Sequence, residues 1–164
     1  MTEHPTPQRT LIGSRAELAQ AIATLLAQAR RELRCCAHDG SVFGLGTQPV
    51  IEAMGALLRA HRHAQVRILV DEPQWLEAQA PRFKLLQRRF SHAVQVRQAS
   101  SEDPVAGDMQ LYADDRHLLQ LKAGVLTTGD LWINNEPRAR MLLVDFERRW
   151  AAAAHNLPVA PLGL

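Results

Sequence analysis

The chain has 164 residues, 46% of them hydrophobic and 22% charged, with a formal net charge of +2. That composition suits one folded domain and excludes wholesale disorder, while the charge is too mild to imply a nucleic-acid or membrane-surface partner. No apolar run approaches the roughly 20 residues of a membrane helix, and the polar start MTEHPTPQRT has no signal-peptide core. A cytoplasmic protein without membrane contact is therefore expected.

Residues 1–12 read as a flexible lead, with Pro5 and Pro7. Ser14 and Glu17 have the spacing of a capping box, and Leu18, Ile22, Leu25, Leu26 and Ala29 then share one helical face. ELRCCAH, about residues 32–38, reads as a strand ended by Asp39-Gly40. The adjacent Cys35 and Cys36 cannot form an intrachain disulfide framework and read as small apolar fillers. Pro49 opens a second helix with Val50, Ile51, Met54, Leu57 and Leu58 on one side. VRILVD follows as a strand whose near-continuous apolarity predicts cover on both faces.

After an irregular segment with Trp75 and Leu76, RFKLLQRRF reads as a helix with Phe83, Leu86 and Phe90 inward. VQVR alternates as a third strand, and SSEDPVAGD is a loop. MQLYAD and HLLQLK flank Asp115-Arg116 as an antiparallel hairpin, while the linker AGVLTTGDLWI stays ambiguous. Asn135 and Pro137 open the last helix, with Ala139, Leu142, Leu143, Phe146 and Trp150 on one face. The predicted order is αβαβαβββα. It describes one α/β domain over 13–155, with a mixed, mostly parallel sheet flanked by helices. An apolar tail over 156–164 must dock on its own domain or on a partner.

Open α/β sheets bind ligands at the carboxyl ends of their parallel strands. Those ends carry His38 and Asp39, Asp71 and Glu72, and Glu102 and Asp103. If they converge, the rim is acidic and favours a cation or a basic partner over a phosphate. Ordinary capping of loops and helix starts accounts for the same residues. Arg82, Lys84, Arg88 and Arg89 form the densest basic group and could touch nucleic-acid phosphates. Aromatic residues are only 5% of the chain and are not interleaved with them, so nucleic acid is not the expected partner. His61 and His63 diverge on a helix and do not make a metal pair. GLG at 44–46 lacks the Lys-Ser/Thr of a phosphate loop, and no sequence motif calls for a cofactor or a metal.

The motifs ELRCC, VRILVDEP, RFKLLQRRF, the LYADDRH hairpin and DFERRW, spread over residues 14–155, resemble half of a phospholipase D-like enzyme. More narrowly, they resemble a bacterial family of unknown function that often follows an acetyltransferase domain. The resemblance implies a shared α/β fold, pairing of two copies, and an acetyltransferase-type partner. It also implies His-x-Lys, four residues, then Asp, in which the histidine attacks phosphorus and the lysine holds the phosphoryl oxygens. With Asp115 in the Asp slot, Asp108 and Gln110 stand where His and Lys belong; with Asp114 there, Gly107 and Met109 do. Neither register supplies the chemistry, so no catalytic residue is assigned.

The sequence thus reads as a non-catalytic, self-associating interaction or ligand-binding module of phospholipase D-like fold. A hydrolase using an acidic or metal-assisted site at the strand ends is the alternative. Weak nucleic-acid binding through the basic helix is the third reading.

Overall fold

The structure, a computed structural model, describes residues 5–105, 109–122, 124 and 128–153. The tail over 156–164 and the motif positions Gly107 and Asp108 lie outside the described residues.

The predicted helices form where their caps and faces demand. In α1 (Arg15–Gln28) the Ser14 hydroxyl accepts the Glu17 amide at 3.1 Å and donates to Glu17 Oε1 at 3.0 Å, and Ala21, Ile22, Leu25 and Leu26 are buried. β2 (Glu32–Ala37) leads through a loop to α2 (Gln48–Ala60), which has Pro49 in its first turn and buries Val50, Met54, Leu57 and Leu58. β3 (Gln65–Val70) follows. The irregular segment contains a short helix, α3 (Gln74–Gln79), whose Leu76 is buried, and α4 (Pro81–Arg89) then buries Phe83 and Leu86. β4 (Val94–Gln98), β5 (Met109–Ala113) and β6 (His117–Leu121) match the predicted strands. The hairpin forms with Met109 opposite Leu121 and Ala113 opposite His117.

Two strands were not foreseen. β1 (Gln8–Ile12) lies inside the stretch read as a flexible lead, and β7 (Gly129–Ile133) resolves the ambiguous segment. They pair antiparallel with each other, Gln8 opposite Ile133 and Ile12 opposite Gly129, which is what orders residues 8–12. The last element is α5 (Glu136–Ala152), whose Asn135 side chain accepts the Arg138 amide.

The strands form one sheet in the order β1-β7-β6-β5-β2-β3-β4. It is mixed, as expected, but not mostly parallel: only β2–β3 and β3–β4 are parallel, and the other pairings are antiparallel. The reason is that helical crossovers join only β2, β3 and β4, whereas β5, β6 and β7 return by turns. α1 to α4 cover one face, over Leu33, Cys35, Val66, Ile68 and Leu119. α5 covers the other, where Phe146 lies 6.0 Å from the Tyr112 ring and 5.9 Å from Trp150. β3 is interior and covered on both faces, with Ile68, Leu69 and Val70 fully buried. Both cysteines are buried and reduced, and burial pushes the Cys36 thiol up to about 11, far from a reactive thiolate.

Candidate functional site

β2 and β3 end side by side, because Ala37 is in register with Val70. The His38 carbonyl then accepts the amides of both Asp71 and Glu72 at 3.0 Å, locking the two exits together. With this clamp, alternation along the strands puts His38 and Asp71 on the same face. His38 Nδ1 lies 3.1 Å from Asp71 Oδ2, and Nε2 lies 3.5 Å from Glu72 Oε1.

Asp71 is held in turn. Its Oδ1 accepts the Val105 amide at 2.7 Å, and its carbonyl accepts Gln98 Nε2 at 3.2 Å. Asp39 is fixed by the Ser41 amide, which donates to its Oδ1 at 2.8 Å. One ligand atom each from His38, Asp39 and Glu72 lies within 4.8 Å of the other two. With Nδ1 turned to Asp71, His38 offers Nε2, the orientation a carboxylate gives a metal-binding imidazole.

Four of the six strand-end residues therefore meet, and two do not. Asp103 pairs with Arg148 at 3.0 Å and Arg149 at 3.5 Å on α5. Glu102 is exposed, and its amide donates to Ser100 Oγ. The loop after β4 contributes Val105 N–H instead, a backbone group that no residue pattern could announce. The basic helix also disperses. Arg82 and Arg89 lie on one face of α4 and Lys84 and Arg88 on another, so the four cations make no single stripe.

The motif strand carries no phosphate clamp. Cys36 is opposite Gln110, and Gln110 is opposite Gln120, so an uncharged amide stands on the His38 face of β5. Met109, the residue of the other register, is buried on the opposite face.

The hydrogen bond that His38 donates to Asp71 raises the His38 pKa above its ordinary 6.5, against desolvation, and Glu72 adds to the rise. A folded pKa above the unfolded one contributes stability below the unfolded value, and this contribution is lost as pH rises through the folded value. The melting temperature of the wild type should therefore exceed that of His38→Gln by more at about pH 5.5 than at about pH 8.5. A difference that stays constant across that range would show that His38 and Asp71 are not coupled.

The sequence matches a protein family described as a domain of unknown function (DUF7931) over residues 14–159. No curated protein matches it. Among solved structures it is similar to a phospholipase D family member, Nuc from Salmonella typhimurium. The identity is 13% and the TM-score 0.65, covering 92% of this chain and 98% of that one. It is also similar to TrmBL2, an archaeal chromatin protein described as showing a novel mode of DNA binding, at 13% identity and TM-score 0.64. That match covers 96% of this chain and 54% of that one. NucT from Helicobacter pylori matches at 9% identity and TM-score 0.57, over 92% and 99% of the two chains. At these identities the similarity shows a phospholipase D-like fold.

Proposed function

The chain belongs to the DUF7931 family, whose function is unknown, and from that premise we propose that it is a non-catalytic binding module on a phospholipase D-like fold. Its strand-end site, His38, Asp39 and Glu72 with Asp71 behind them, takes a cationic ligand. The observation that supports this most is the convergence of those side chains beside a β5 that presents Gln110 rather than a lysine. Three carboxylates around one imidazole repel a phosphodiester and attract a divalent cation or a basic group.

Titration calorimetry with manganese tests the site. Saturable binding should weaken at least about tenfold in Asp39→Ala and in Glu72→Ala, the cost of one lost ligand of a hard cation. Heats that never saturate, or that persist in both variants, would dispose of the proposal. Metal-dependent hydrolysis abolished by Asp71→Ala in a folded protein would instead favour the hydrolase reading. DNA binding of the TrmBL2 kind is not proposed, because the basic residues of α4 divide between two faces.

A specific observation favours self-association as well. β1 is an edge strand exposed over residues 8–11, and Leu11, Met141 and Val144 are 66%, 64% and 72% exposed. Unpaired edges and exposed apolar side chains are surfaces a symmetric pair covers. Light scattering over a dilution series should give twice the monomer mass at the highest concentration. A monomer at every concentration would rule the pair out.

A further inference from the structure

At the end of the sheet opposite His38, three connections converge: the α1–β2 turn, the β5–β6 turn and the β7–α5 turn. They enclose a cleft of about 410 Å³ lined by Arg30, Arg31, Asp114, Arg116, His117 and Asn134. We propose that this cleft binds a compact oxyanion, a phosphate or the phosphate of a small monoester.

The frame is rigid before any ligand arrives. Asp114 accepts the amides of Arg30, Arg31 and Glu32 at 2.7 to 3.2 Å, tying the first two connections together. Asn135 N–H donates to the Arg116 carbonyl at 2.9 Å, tying the second to the third. Asp114 and Asn134 are the two non-glycine residues with positive φ among the described residues, +56° and +59°, and both line this cleft. Left-handed residues gather where a loop is held in one shape for a ligand.

The charge inside is positive. The carboxylate of Asp114 is already occupied by three amides, and the nearest other carboxylate, Asp115, lies 3.9 Å from Arg116 Nε, so Arg30, Arg31 and Arg116 outnumber the acids that line the cleft. Arg30 is positioned by its Nη1, which donates to the carbonyls of Ala27 and Ala29 at 2.9 Å. His117 is 3% exposed, and its Nδ1 accepts the Asn134 amide at 3.1 Å. A neutral imidazole accepting at Nδ1 carries its proton on Nε2, which makes Nε2 a fixed donor. Guanidinium pairs and one neutral N–H donor are how proteins hold phosphate oxygens.

The cleft also limits the ligand. On one side it adjoins Glu32 and Asp115, and on the other Glu136. Glu32 is paired there with Arg34, and Asp115 and Glu136 with Arg140, so the flanks do not extend the basic surface and an isolated or terminal phosphate fits better than a nucleic-acid strand.

The test is titration of the full chain with inorganic phosphate, and separately with a single-stranded oligonucleotide, followed by amide resonances and calorimetry. Phosphate should saturate a single site and move the amides of Arg116, His117 and Asn134 in the unaltered protein, leaving those of Asp71 and Glu72 in place. Arg31→Ala combined with Arg116→Ala, both exposed side chains, should weaken binding at least about tenfold. Asp39→Ala at the far end should leave it unchanged. Absence of saturation, shifts confined to other regions, full affinity in the double variant, or tighter oligonucleotide than phosphate binding at these amides would each overturn the proposal.

Discussion

Asp114→Ala should lower the unfolding free energy by about 3 kcal/mol, read as a urea midpoint about 1.5 M lower for a chain of this size. Three amides on the α1–β2 turn donate to this one carboxylate, and alanine would leave all three without their acceptor. A part-buried donor left unpaired costs on the order of 1 kcal/mol or more. The backbone adds to this. At φ +56° alanine carries a penalty of about 1 kcal/mol that aspartate and asparagine largely escape. Asp114→Asn should therefore fall between wild type and alanine, since one oxygen and the turn preference survive. Asp114→Gly should lose about 1 kcal/mol less than alanine, because glycine relieves the turn even though it still abandons the amides. A midpoint shift below about 0.5 M for alanine would mean that water replaces the carboxylate without penalty.

Gly129→Ala should be worse, on the order of 4 kcal/mol, with a melting temperature lower by roughly 10 °C or no soluble protein at all. A Cβ at this position would lie 2.1 Å from the Gln120 carbonyl oxygen and 3.0 Å from Leu121 Cα. Those are backbone atoms of β6 and cannot rotate aside, so the strands must separate. β7 would move, and β1, which pairs with it at Ile12 opposite Gly129, would move with it. Gly13→Ala is the control, because its new carbon would come no nearer than 4.0 Å to Glu17 Oε1. Equal melting temperatures for the two variants would show that the β6–β7 pair tolerates opening.

Legibility in the sequence followed the physics of each element. α1, α2, α5 and the β5–β6 hairpin were readable because their buried residues repeat at the period of their structure and their ends carry caps or turn residues. β1 was not, since QRTLI buries only Ile12 and so shows no alternation. β7 opens with Gly129 and Asp130, residues that read as a turn; here Gly129 allows close backbone approach and Asp130 pairs with Arg9. The strand-end site was legible as far as His38, Asp39, Asp71 and Glu72, because the termini of parallel strands must lie together. Asp103 escaped that logic through α5, whose Arg148 and Arg149 sit far away in sequence. The cleft at the other end had no signature. Arg30 and Asp114 are 84 positions apart, and their contact is through a backbone amide, which every residue type but proline supplies.

The β1–β7 pair has a kinetic meaning. Arg9 and Asp130 are 121 positions apart, so the strand synthesised before the other described strands finds its neighbour almost last. Until β7 is complete, residues 8–12 have no ladder to join and gain little from collapse, since four of the five stay exposed. Loop closure over such a distance is among the slowest steps available to a small domain. The sheet is therefore expected to close from its middle outward, with its β1 rim assembling late and opening early during excursions from the native state.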